Sequence, residues 1–139
     1  MPESNTPPGG EIVLYNTEDG LTKIECRFVG ETIWLSQALI ADLFQVTIPT
    51  VNEHLKNLYE EGELHSDPTI RKFRIVQKEG TRLVQRETDH YNLDIIISVG
   101  YRVKSLIGTQ FRIWATKILK EHLVKGYTIN KKRLEQAGS

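Results

Sequence analysis

The hydrophobic residues of this chain change their spacing along the sequence, and that change constrains the fold more than any other feature. Across residues 22–29 apolar side chains occupy alternate positions, a period of two that is typical of a β-strand with one buried face. From Ser36 onward they recur at three- and four-residue spacing, as on one face of an α-helix. Residues 71–88 again have a strand-like pattern, and a helical pattern follows Asn92. The sequence therefore predicts an α+β fold.

Residues 11–35 have the pattern of a β-hairpin followed by a short strand. An Asp-Gly pair, typical of a turn, separates residues 11–16 from the alternating residues 22–29, and residues 32–35 can add a third strand. Cys26 falls on the apolar side of the alternation, so we expect a buried and unreactive thiol.

The segment from Gln37 to Lys56 has the spacing of a helix-turn-helix. Ser36 and Thr47 are suitable N-caps for the two helices, the second of which is predicted from residue 48 to residue 61. Ala41 is small enough for the point where the helices cross, whereas Gln45 occupies a turn position at which glycine is usual. A plain helical hairpin packed in a core is the alternative interpretation.

A helix-turn-helix presents the first turns of its second helix to the major groove of DNA. The predicted base-reading residues are the exposed polar side chains of that helix: Thr47, Thr50, Asn52 and Lys56. Four glutamates crowd the same helix and its end: Glu53, Glu60, Glu61 and Glu63. Because phosphate contacts dominate affinity for DNA, this helix needs basic residues from elsewhere.

A basic hairpin predicted around Lys78-Glu79-Gly80 follows the two helices, and this succession is that of a winged helix-turn-helix. The predicted phosphate-binding residues of this hairpin are Arg71, Lys72, Arg74, Lys78 and Arg82. We expect them to form one positive strip beside Asn52. The alternative is a solvated sheet edge whose charges deter aggregation.

The remainder of the chain is predicted to be helical over residues 91–129. A short helix begins after Asn92, a basic loop covers residues 102–108, and a longer helix runs from Thr109 to Lys125, with Gly126 after its end. Two residues of the loop are predicted to form a secondary phosphate site: Arg102 and Lys104. The sequence predicts four domains. They are a flexible leader (1–10), a hairpin plus winged helix-turn-helix (11–90), the helical part (91–129) and a flexible tail (130–139).

The net charge of zero conceals opposite charges in the two halves of the chain. Residues 1–69 contain 3 Lys+Arg and 12 Asp+Glu, a formal charge of −9, whereas residues 70–139 contain 15 and 6, a formal charge of +9. The basic half suits a polyanion such as DNA. The same asymmetry suits an adaptor that self-associates through its oppositely charged halves, and both hypotheses stay open.

Other classes of protein find little support in the sequence. No phosphate-binding glycine loop, nucleophile elbow or metalloprotease motif is present, so we expect no enzyme, cofactor or small-molecule substrate. Asp89, His90 and Asp94 lack a second histidine at ligand spacing, so we expect no metal site. No apolar run approaches the ~20 residues that span a bilayer, and the first residues lack a signal-peptide pattern. We therefore expect a cytoplasmic protein that is not bound to membranes.

Several segments resemble the RhuM family of bacterial virulence-associated proteins. They include IWLSQALIADLF, VNEHLKNLYEEGEL, RKFRIVQKEG and, most specifically, YNLDIIISVGYRVKSLIGTQFRIWATKILKEHLVKGY. The resemblance covers roughly residues 11–134 and implies the N-terminal module of a DNA-binding protein. The last of these segments also resembles the Bro-N domain of phage antirepressor-type proteins. We therefore expect a homodimeric, DNA-binding regulator of transcription or of a mobile element.

Overall fold

The computed structural model describes residues 11–17, 20–62 and 69–137, with side chains described up to residue 122; the predicted leader, residues 1–10, lies outside these ranges. The described strands are β1 (Glu11–Asn16), β2 (Lys23–Val29), β3 (Thr32–Ser36), β4 (Ile70–Glu79) and β5 (Arg82–Asn92). The described helices are α1 (Gln37–Phe44), α2 (Ile48–Glu60), α3 (Leu93–Arg102) and α4 (Leu106–Ala137). The α+β fold class is confirmed.

All five strands form one antiparallel sheet in the order β1-β2-β3-β5-β4. The last residues of β5 pair with β3, which joins the C-terminal hairpin to the N-terminal one: Trp34 lies opposite Asn92 and Ser36 opposite His90. Both α1 and α2 lie in the chain between β3 and the edge strand β4. The two hairpins of the described part of the chain therefore belong to a single sheet.

Side-chain caps fix where three helices begin, as the sequence predicts for all three. The Ser36 hydroxyl accepts a hydrogen bond from the Leu39 amide at 3.3 Å, and Thr47 accepts one from the Thr50 amide at 3.2 Å. The Asn92 side chain accepts one from the Ile95 amide at 3.2 Å. Each cap satisfies an amide that the first helical turn leaves unpaired, so the strand-to-helix changes follow from local sequence.

The sheet has a covered face and an open face. On the covered face Ile24, Cys26 and Leu35 are fully buried in a cluster to which all four helices contribute. On the open face a separate small cluster consists of strand residues only: Val29, Trp34 and Phe73. Because side chains alternate between the two faces of a strand, each strand carries one set of residues for the helices and another for the open face.

Two predicted boundaries in the C-terminal part are wrong. The predicted loop over residues 102–108 ends earlier, because α4 already begins at Leu106, and α4 continues past Gly126 to Ala137 instead of ending at Lys125. Residues 130–137, predicted as a tail, are therefore helical. Glycine inside a helix costs only about 1 kcal/mol relative to alanine, and good helix formers lie before it (Leu123, Lys125) and after it (Lys131, Lys132).

The basic hairpin is longer than predicted. β4 and β5 pair without interruption from Ile70–Tyr91 to Glu79–Arg82, so only Gly80 and Thr81 form the turn. Gly80 adopts a φ of 65°, the left-handed conformation that tight hairpin turns require and that glycine adopts without strain. The half of the hairpin nearest the turn is mostly exposed, so it projects from the body of the protein.

Candidate nucleic-acid interface

The turn between α1 and α2 explains how the chain tolerates glutamine at a position where glycine is usual. Gln45 adopts φ 57° and ψ 46°, a left-handed conformation that costs a non-glycine residue roughly 1–2 kcal/mol. Its side-chain amide donates a 2.6 Å hydrogen bond to the Asp42 carbonyl, and the Val46 amide bonds the Ala41 carbonyl at 3.0 Å. These bonds occupy carbonyls that the end of α1 leaves free and so hold the sharp turn.

The apolar stripe of α2 packs on the covered face, so the opposite side of the helix is exposed. Val51, Leu55 and Leu58 are buried, whereas Asn52 and Lys56 are exposed. The hydroxyls of the two predicted base-reading threonines, Thr47 and Thr50, lie 2.8 Å apart and bond each other. The four predicted base-reading residues therefore lie between the N-cap and the third turn of one helix.

Asn52 lies in an acidic setting. Its side-chain oxygen accepts a hydrogen bond from the Gln37 amide at 3.0 Å. The shallow cavity that these two residues line also contains Glu87, Asp89 and Tyr91 of β5. An adenine edge would engage both the oxygen and the nitrogen of the Asn52 amide, and the oxygen already accepts one bond from Gln37.

The basic residues of the hairpin divide between the two faces of the sheet. Paired residues of adjacent strands share a face, and Ile70 and Tyr91 mark the covered side. By this alternation Lys72, Arg74 and Lys78 lie on the side of α2, whereas Arg71 and Arg82 lie on the side of the open face. The prediction of one positive strip beside Asn52 is wrong, since neighbours such as Arg71 and Lys72 must point to opposite sides of a regular strand.

Ion pairs occupy part of this basic set. Lys72 bonds Asp89 at 2.9 Å, and this carboxylate raises the pKa of Lys72. Arg86, which was not among the predicted phosphate-binding residues, holds Glu79 with two bonds of 2.6 and 2.9 Å. Within the described ranges Arg74, Lys78 and Arg82 form no ion pair, so the hairpin keeps unneutralised cations on both of its sides.

The two residues of the predicted secondary phosphate site, Arg102 and Lys104, do not lie together. Arg102 bonds Glu61 at 2.6 Å and so ties the end of α3 to the end of α2; this bond is the main cause that lowers the pKa of Glu61. Lys104, at φ 55°, instead lines a groove between α3 and α4 together with Tyr101 and Arg112. The structure does not bring Arg102 into that groove.

A contact on the open face was not predicted from the sequence. The guanidinium carbons of Arg27 and Arg71 lie 5.6 and 5.4 Å from the centre of the Phe73 ring, and His90 packs against the same ring at 4.9 Å. Because side chains alternate along β2, Arg27 points to the face opposite that of the buried Cys26. No local pattern could show that it reaches a residue of β4.

The remaining candidates are structural. Burial raises the pKa of the Cys26 thiol to about 12, which agrees with the expectation of an unreactive group. Phe111 is fully buried and Trp114 packs against it and Tyr15, so both belong to the core. Among the residues described, no group of three or more His, Cys, Asp or Glu side chains is placed to hold a metal ion. None of the described helical residues forms a stretch long and apolar enough to cross a membrane.

Comparison with known proteins gives one match. The profile of the Virulence protein RhuM family matches residues 68–139, which comprise the basic hairpin, α3 and α4. No curated protein and no solved structure matches the chain. The matched segment is more than half of the sequence and contains the stretch on which the predicted resemblance chiefly rested, so this chain belongs to the RhuM family.

Proposed function

We propose that this chain is a DNA-binding module, a winged helix-turn-helix in which α2 faces the major groove and the β4–β5 hairpin enters a neighbouring groove. The observation that carries the proposal is the order of the elements. A strand, β3, is followed by two helices with a sharp turn, then by a hairpin whose second strand pairs back to β3. This arrangement holds an exposed helix and a projecting ribbon on one frame.

The division of charges between the two sides of the hairpin favours insertion over flat contact. A ribbon that enters a groove edge-on has a sugar–phosphate backbone on each side. Lys78 lies on one side near the turn and Arg82 on the other, and both are exposed. Each could contact a different strand of the duplex, whereas a ribbon lying flat would use only one of them.

The acidic residues of α2 limit what that helix can contribute. Glu53 and Glu60 are exposed on it, and Glu87 and Asp89 lie beside Asn52. We therefore assign sequence reading to Thr50, Asn52 and Lys56, and assign most of the affinity to the hairpin. A homodimer on paired half-sites, inside the cell where DNA is found, completes the proposal.

Fluorescence anisotropy of the full chain with a labelled duplex, over a series of potassium chloride concentrations, tests this function. We expect the logarithm of the binding constant to fall linearly with the logarithm of the salt concentration, because phosphate contacts release counterions. Lack of binding at low salt, or affinity that salt does not change, would contradict the proposal. Asn52→Ala tests base reading, since it should reduce preference among duplex sequences while leaving the salt slope unchanged.

A second candidate, self-association through oppositely charged halves, is favoured by a different observation. Acidic residues of the first half, Glu53 and Glu60, are exposed on α2, and basic residues of the second half, Lys78 and Arg82, are exposed on the projecting hairpin. Light scattering without DNA at low and high salt separates the candidates. Assembly that salt disrupts, together with no binding to DNA, would favour the adaptor.

A further inference from the structure

A second cationic site lies on the open face of the sheet, on the side opposite α2. Arg27 from β2 and Arg71 from β4 approach one phenyl ring, that of Phe73, to 5.6 and 5.4 Å. Phe73 itself is only 1% exposed and is held by Trp34 and His90. The ring is therefore a fixed support against which two guanidinium groups from separate strands pack.

Arg27 has hydrogen-bonding capacity that the described part of the chain leaves unused. Its Nη1 atom is buried without a hydrogen-bond partner, and it is the one side-chain nitrogen or oxygen of which this holds among the described residues. Burial lowers the pKa of Arg27, and the Glu25 carboxylate opposes this shift without forming an ion pair with it in the described part of the chain. A buried donor without an acceptor is unfavourable, so the Arg27 guanidinium can gain free energy by turning this donor toward an anion on the open face.

The neighbouring polar groups already have partners. The Trp34 indole donates to the Val29 carbonyl at 3.1 Å, and Nδ1 of His90 lies 2.9 Å from the Thr88 carbonyl. Within the described ranges neither Arg27 nor Arg71 forms an ion pair with a carboxylate. The unused donors at this place are thus guanidinium N–H groups, which match the oxygens of a phosphate two at a time.

We propose that Arg27 and Arg71 form a phosphate-binding site on the open face. Arg27 supplies a partly buried and pre-positioned fork, and the exposed Arg71 closes on the ligand from β4. The phosphate group could come from a small phosphate ester or from the backbone of a nucleic acid. Because the site is on the side of the sheet opposite α2, it can exist whether or not α2 and the hairpin turn bind DNA.

NMR titration of the ¹⁵N-labelled full chain with inorganic phosphate tests the site, with sodium chloride and acetate at matched ionic strength as reference salts. We expect saturable shifts of the Arg27 Nε–Hε resonance and of the Phe73 ring, with phosphate only. Arg71→Gln should weaken phosphate binding about tenfold or more, the effect of losing a charged hydrogen bond. Arg27→Lys, which keeps the charge but loses the fork, should weaken it similarly.

Two control variants carry the same loss of charge elsewhere on this side of the sheet. Lys23→Gln removes an exposed cation from the strand of Arg27, and Arg86→Gln removes one that already bonds Glu79. Both should bind phosphate as the natural sequence does. Non-saturating shifts, equal shifts with acetate, or unchanged affinity in Arg71→Gln would each overturn the proposal.

The same resonances distinguish the two sources of phosphate. Shifts with a mononucleotide but not with a short duplex would support a small phosphate ester, and the reverse would support a nucleic-acid backbone. Loss of duplex binding in the anisotropy experiment while inorganic phosphate still binds would overturn the proposed function and leave this site standing.

Discussion

The two faces of the sheet are built from alternate residues of the same strands, yet they differ in what covers them. On the covered face Ile24, Ile33 and Leu35 are completely buried beneath four helices. On the open face Leu14 remains 50% exposed, and a cluster of only three residues lies among arginines. The covered face thus provides most of the stability of the fold, whereas the open face and the projecting hairpin carry exposed cations.

The largest expected difference between the faces is in stability. Ile24→Ala removes a fully buried side chain from the covered face and should lower the free energy of unfolding by about 2–5 kcal/mol. Leu14→Ala, in the strand paired with β2 but on the open face, should cost about 1 kcal/mol or less. Urea denaturation measures both values. Equal losses would show that something covers the open face in solution.

A second, smaller difference in stability is expected within the helical layer over the covered face. It concerns alanine substitutions at two glycines where α3 and α4 cross. A Cβ at Gly100 would lie 2.7 Å from a ring carbon of the buried Phe44, so Gly100→Ala should cost about 1–3 kcal/mol. A Cβ at Gly108 would have no neighbour nearer than 3.6 Å, so Gly108→Ala should stabilise by about 0.4–1 kcal/mol. Thermal unfolding of the two variants should therefore shift in opposite directions, and a shared direction would contradict this packing.

The smallest expected effect on stability is a pH dependence at His90, a buried residue of the open face. Burial is the main cause that lowers the pKa of His90 below its usual 6.5, and Arg27 lowers it further. At a pH between the pKa of His90 in the folded chain and its pKa in the unfolded chain, the unfolded chain binds more protons. The free energy of unfolding is therefore highest above pH 6.5 and decreases as the pH falls below that value. Urea midpoints from pH 8 to pH 5 should fall less steeply for His90→Gln. The same slope in both proteins would show that His90 is not the group responsible.

Local features of this fold could be predicted because local residues determine them. Ser36, Thr47 and Asn92 cap helices through bonds to amides three residues away. The alternation in β2 likewise shows that Cys26 is buried. These features depend on short-range geometry that one sequence displays directly.

Two properties of the basic hairpin could not be predicted, because both depend on partners distant in the sequence: which of its sides faces α2, and which of its cations are paired. The pairing of β3 with β5 decides which side faces α2, and the β4–β5 register then puts Lys78 on that side and Arg82 on the other. Arg102 is paired with Glu61, which is 41 residues away in the sequence. Sequence patterns identify a basic hairpin but do not show which of its cations remain available.

The salt dependence of DNA binding in two single variants tests the central claim, that the hairpin enters a groove and contacts phosphates on both sides. Lys78→Gln removes a cation from the α2 side of the turn, and Arg82→Gln removes one from the other side. If both contact phosphate, each variant should reduce the slope of log affinity against log salt by about 0.9, and the double variant by about twice that. A slope that changes in only one variant would show flat contact, and a slope that changes in neither would contradict the account.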